Sequence, residues 1–86
     1  MSPSSETTVV LRAALHARPA GAVVRAAAGF TAKIEIRYGE RSAAATSALR
    51  LMSLGADAGS TVTVHAEGDD AEAAAAAVAE ALASAT

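Results

Sequence analysis

Two stretches of the chain alternate apolar and polar side chains with period two. Ala32-Lys33-Ile34-Glu35-Ile36-Arg37 is one. In the other, Val62, Val64 and Ala66 fall on one face, and Thr61, Thr63, His65 and Glu67 on the opposite face. Such alternation marks a half-buried strand. Residues 7–11 are rich in β-branched side chains and read as a further strand. Gly39-Glu40 suits a two-residue hairpin loop with glycine first, so residues 41–45 should return antiparallel. Between these segments the spacing turns helical. Pro19 fits only in a first helical turn, where its missing N–H costs nothing; a helix should therefore start near His16–Ala17 and run to Ala28, with Gly29 as its stop. Ser47 reads as the N-cap of a short helix over 48–54, which buries Leu51 and Leu54 and ends at Gly55. Asp69 or Asp70 should cap a last helix reaching about residue 83, with Val78 and Leu82 as its large apolar pair. The resulting order, β-α-β-β-α-β-α, implies an α+β fold with the helices gathered on one sheet face and water on the other.

Composition narrows this picture. Of 86 residues 52% are hydrophobic, but many are alanine and the aromatics are only Phe30 and Tyr38, so Val, Leu and Ile must fill the core. Residues 1–5 read as a flexible start and 6–86 as one domain. Without cysteine there is neither a disulfide framework nor a thiolate metal site, and no cofactor or metal is expected. The opening MSPSSE has no basic start or apolar run, and no stretch approaches the roughly 20 large apolar residues of a membrane span. A soluble, cytoplasmic monomer without membrane insertion is the expectation.

Net charge is −2, which argues against a nucleic-acid binder. Its distribution is uneven: residues 1–50 hold all seven bases and three acids, whereas residues 51–86 hold six acids and no base. That polarity suits orientation against a charged partner.

Candidate chemistry concentrates at His16-Ala17-Arg18-Pro19. A histidine at a helix start faces unpaired backbone N–H groups and the positive end of the helix dipole, which together can hold a phosphate. Arg18 can add charge-assisted bonds to phosphate oxygens, and a neutral imidazole is a capable nucleophile. On chemistry alone, a phosphoryl-accepting histidine competes with a plain helix cap beside a surface arginine.

The stretch LHARPA resembles the active-site signature of the histidine-containing phosphocarrier (HPr) family of the phosphoenolpyruvate-dependent sugar phosphotransferase system. AAGFTAKIEI, SALRLMSLGADAGSTVTV and HAEGDD are similar to that family at matching distances, from about Glu6 onward. The resemblance implies an open-faced β-sandwich, with a four-stranded antiparallel sheet and three helices on one side. It implies a non-enzymatic carrier in which phospho-enzyme I phosphorylates Nδ1 of His16, and phospho-His16 donates to enzyme IIA domains for sugar uptake. Arg18 and the N–H groups of Ala17 and Arg18 would steady the phosphate. Carriers of nitrogen-regulatory or dihydroxyacetone branches share this signature, and a non-relay regulatory binding protein is a third reading, disfavoured by the presence of His16. Ala13 and Ala14 depart from the family, which often has a polar residue and then glycine there.

Ser47 matches a serine phosphorylated in some relatives by an ATP-dependent kinase, so a serine kinase is a conceivable partner besides the cap role. Leu49 and Met52 match the family's partner-docking surface. With Arg25, Ala48 and Arg50 they form an expected apolar centre ringed by basic charge. Gly21 joins that surface; close approach of a partner or close helix packing would each account for a glycine inside a helix. His65 falls on the expected solvent face of its strand, with no acid or second histidine placed to make it a ligand.

Overall fold

The computed structural model describes residues 3–84. Its elements follow the expected order: β1 (Ser4–Val10), α1 (Ala17–Ala27), β2 (Lys33–Tyr38), β3 (Arg41–Ala44), α2 (Ala48–Met52), β4 (Thr61–Glu67) and α3 (Ala71–Ser84). The strands form one antiparallel sheet in the order β1-β4-β2-β3, with β4 and β2 in the middle. The α+β open-faced sandwich is therefore the fold of the chain.

Side-chain alternation along the central strands builds the core. Val62, Val64 and Ala66 of β4 and Ile34 and Ile36 of β2 turn to the helices and are buried. Helix α3 lays Ala71, Ala74, Ala75, Val78 and Leu82 against them, a stripe of helical spacing in which small side chains let the helix sit close. Helix α1 adds Ala20, Val23 and Ala27. No polar or charged residue is buried among the described residues, so the chain's polarity lies at its surface.

The hairpin forms as the sequence implies. Tyr38 pairs with Arg41 across a two-residue loop, and Gly39 takes φ +59°, which a side chain would resist. Several boundaries differ from expectation. Strand β1 opens at Ser4 rather than residue 7, and Ser4 and Ser5 pair with Glu67 and Ala66, so the expected flexible start does not include them. Residues 1, 2, 85 and 86 lie outside the described residues. Leu11 follows the strand but stays anchored, its N–H donating to the Ser60 carbonyl and its own carbonyl accepting from Gly59. Helix α1 ends at Ala27, and Gly29 does not act through a left-handed cap: Gly29 and Phe30 donate to the carbonyls of Ala26 and Ala27 in a tightening last turn. Helix α2 ends at Met52, two residues early, and Leu54 is buried from the turn that follows.

Asp70 precedes α3, but its carboxylate leaves the helix and crosses to the segment that leads into β2. It accepts from the N–H groups of Thr31 and Ala32, both at 2.8 Å. Gly68 permits this crossing: it has φ +137°, and a Cβ there would lie 3.0 Å from the Ala32 Cα. The Thr31 N–H bond, seconded by Ala32, holds the Asp70 carboxyl below its usual pKa. A lowered folded pKa contributes stability above the unfolded value and loses it as pH falls through the folded one. Asp70→Ala should accordingly lower Tm at pH 7 and flatten the acid limb of the Tm–pH curve, measured by circular dichroism from pH 2 to 7.

Candidate phosphohistidine site

Helix α1 starts where Pro19 requires. Pro19 is buried in the first turn, and His16 is the N-cap with extended backbone, φ −75° and ψ −175°. The Ala20 N–H donates to the His16 carbonyl at 3.0 Å, and Pro19 has no N–H to offer. Only the N–H groups of Ala17 and Arg18 remain unspent in that turn, and neither finds an acceptor among the described residues. The His16 side chain makes no cap hydrogen bond, so the exposed imidazole is free of the helix it starts.

The loop carrying His16 is held from below. Leu15 is buried, and its N–H donates to the Ala56 carbonyl at 3.1 Å. The Leu15–Ala56 bond draws the chain just beyond α2 against the His16 loop, and α1 packs along α2. Ala13 and Ala14 are half-buried, and neither offers the imidazole a polar side chain.

Gly21 sits one turn into α1, and the Arg25 guanidinium lies beside it; a Cβ at Gly21 would come within 3.4 Å of Nη1. This contact shows Arg25 folded back toward the His16 end of the helix. On α2, Leu49 is 73% and Met52 37% exposed, while Ala48 is half-buried. Arg18, Arg25 and Arg50 form no ion pair among the described residues. Ser47 caps α2 as its position implies, its Oγ accepting from the Arg50 N–H at 3.2 Å. Among the described residues no group of three or more His, Asp or Glu side chains could hold a metal ion, and no helix is long and apolar enough to cross a membrane.

The family model described as "PTS HPr component phosphorylation site" matches residues 3–84, nearly the whole chain. The chain belongs to the HPr family. HPr proteins are phosphocarriers of the phosphotransferase system rather than catalysts. The chain is 42% identical over 65 residues to a multiphosphoryl transfer protein of Xanthomonas campestris pv. campestris, covering 76% of itself but 8% of that protein. It is 43% identical over 56 residues to the phosphocarrier protein HPr of Buchnera aphidicola subsp. Acyrthosiphon pisum, covering 65% of itself and 66% of that protein. The chain thus spans less than two thirds of the length of these two relatives. The crystal structure of a phosphocarrier protein HPr from Bacillus anthracis str. Ames superposes with TM-score 0.83 at 36% identity, covering 92% of this chain and 96% of that one.

His65 departs from the sequence expectation. It lies on the open face, but it is not free in solvent: its side chain is 15% exposed and sits between two carboxylates, Glu6 on β1 and Glu67 on its own strand. The alternating pattern carried Glu67 in plain view, but Glu6 is 59 residues away and reaches His65 only through the β1–β4 register.

The Ser47 cap makes a direct test of α2. Ser47→Ala should cost about 1 kcal/mol in urea denaturation, whereas Ser47→Asp, which supplies an equivalent acceptor, should cost far less.

Proposed function

We propose that this HPr-family chain relays a phosphoryl group from phospho-enzyme I to enzyme IIA domains through His16, in the service of sugar uptake. The observation that carries the proposal is the economy of the α1 start: an uncommitted imidazole stands at the N-cap, beside two unspent backbone N–H groups and an unpaired arginine. In the forward step the Nδ1 lone pair of a neutral His16 attacks phosphorus. The bond from phosphorus to enzyme I breaks as the P–N bond to His16 forms, and the donor group leaves with the electron pair. The N–H groups of Ala17 and Arg18, with the Arg18 guanidinium, hold the phosphate oxygens through charge-assisted bonds that serve both directions of the relay. Transfer to enzyme IIA repeats the exchange with His16 as the leaving group.

Leu49 and Met52 supply the apolar centre of the docking surface. Arg18, Arg25 and Arg50 supply a basic surround that steers an acidic partner, and half-buried Ala48 and Gly21 complete the contact area. Phosphate on Ser47 would add about two negative charges beside this centre and disfavour that partner, so a serine kinase could act here as a brake.

Incubation with enzyme I and labelled phosphoenolpyruvate tests the proposal. The chain should take up acid-labile, base-stable label that His16→Ala abolishes and His65→Ala leaves intact; label persisting in the His16 variant would overturn it. In the same assay Leu49→Asp should slow transfer about tenfold or more, in both directions, with Tm little changed because the side chain is exposed.

A further inference from the structure

The sheet face turned away from the helices carries a cross-strand row outside the phosphohistidine site. Glu6 on β1 pairs with His65 on β4, and His65 pairs in turn with Glu35 on β2. The imidazole is engaged on both sides: Nδ1 lies 2.8 Å from Glu6 Oε2, and Nε2 lies 2.9 Å from Glu67 Oε1. An ionised carboxylate only accepts hydrogen bonds, whereas a neutral imidazole has one N–H and one lone pair. A neutral ring can therefore satisfy one of these carboxylates and must face the other lone pair to lone pair. The imidazolium donates to both.

The remaining charged groups on this face come from β2. Arg37 reaches across β4 to the same Glu6 oxygen at 3.1 Å and pairs with Glu35 at 2.7 Å. Lys33 stands opposite Glu67 in the β2–β4 register, and Lys33, Glu35, His65 and Glu67 together line a hollow of about 70 Å³. Three carboxylates against two permanent cations leave one negative charge, which a protonated His65 cancels.

What this row holds is the weak end of the sheet. Strand β1 is an edge strand bonded to β4 alone, and none of Ser4, Ser5, Glu6, Thr7 and Thr8 is buried; the first buried residue is Val9. Among the described residues, this end has one further backbone tie besides the ladder, from the Gly68 N–H to the Pro3 carbonyl at 2.8 Å. Segments with so little burial open locally before the core does.

We propose that His65 is a proton-dependent clamp that fastens the first half of β1 to β4 and slackens when the imidazolium gives up its proton. The hydrogen bond to Glu67, seconded by Glu6, raises the His65 pKa above 6.5 against the opposing effects of desolvation and Arg37. A raised folded pKa means that the clamp is at full strength below the unfolded value and is lost as pH rises through the folded one. Glu67, held below its usual pKa mainly by His65, sets the lower end: the clamp also fails in acid as that carboxylate protonates. Arg37 keeps its hold on Glu6 when the imidazolium is lost, so β1 loosens without detaching.

Amide hydrogen exchange by NMR from pH 5.5 to 8.5, normalised for intrinsic base catalysis, tests the clamp alongside direct titration of the imidazole. Opening of the protected amides within residues 4–7 should rise at least about threefold, with its midpoint at the His65 pKa. Amides of residues 62–64 and 34–36 should not follow. The rise should vanish in His65→Gln, and Glu67→Gln should shift the imidazole midpoint downward. An imidazole midpoint at or below 6.5, or an unchanged pH dependence in His65→Gln, would overturn the proposal. The wild-type titration decides the first point without any variant.

Discussion

The pleat of β4 is the constraint on which the rest of the molecule depends. This strand lies between β1 and β2, and every residue from 61 to 67 must face either helices or solvent. Val62, Val64 and Ala66 take the helix side and are almost wholly covered, with α3 packed against this strand and α1 packed against α3. The intervening residues are then forced onto the open face, where His65 meets its carboxylates. A slip of one residue in β4 would exchange the two sets, burying the imidazole and exposing the valines. The register is therefore fixed by burial.

The His16 site makes use of that rigidity without adding buried polarity. Leu11 and Leu15 are buried on the N-terminal side of His16, and Pro19 and Ala20 on its other side, so the His16 loop is short and pinned at both ends. Pro19 both places the helix start and removes one N–H from it. With Ala20 bonded back to the His16 carbonyl, the first turn keeps two donors beside the imidazole. A carrier that must give up its phosphoryl group as readily as it accepts it gains from a few exposed donors rather than an enclosing pocket, because strong ground-state binding would hinder the onward step.

Local chemistry was legible wherever a single residue dictates backbone geometry. Pro19 marked the start of α1, Gly39 the hairpin, Ser47 the cap of α2, and the alternation through 61–67 assigned both faces of β4. LHARPA carried the family, and the role proposed for His16 rests on it, because residue chemistry did not decide between a nucleophile and a cap. What escaped the reading depends on pairing between distant residues. Ser4, Ser5 and Glu6 have no strand propensity of their own and become strand through β4. Asp70 looked like a helix cap because its partners, Thr31 and Ala32, are 39 and 38 residues away. The engagement of His65 stayed hidden for the same reason, since Glu6 arrives by register rather than by sequence proximity.

The central claim is that His16 Nδ1 takes the phosphoryl group and that the start of α1 holds it. Phosphorus-31 and nitrogen-15 NMR of the chain, charged by enzyme I and phosphoenolpyruvate, tests both halves together. The account predicts phosphorus coupled to Nδ1 of His16, with the largest amide shifts at Ala17 and Arg18 and the His65 ring unchanged. Phosphorus coupled to any other residue, or amides of Ala17 and Arg18 that do not move, would contradict it.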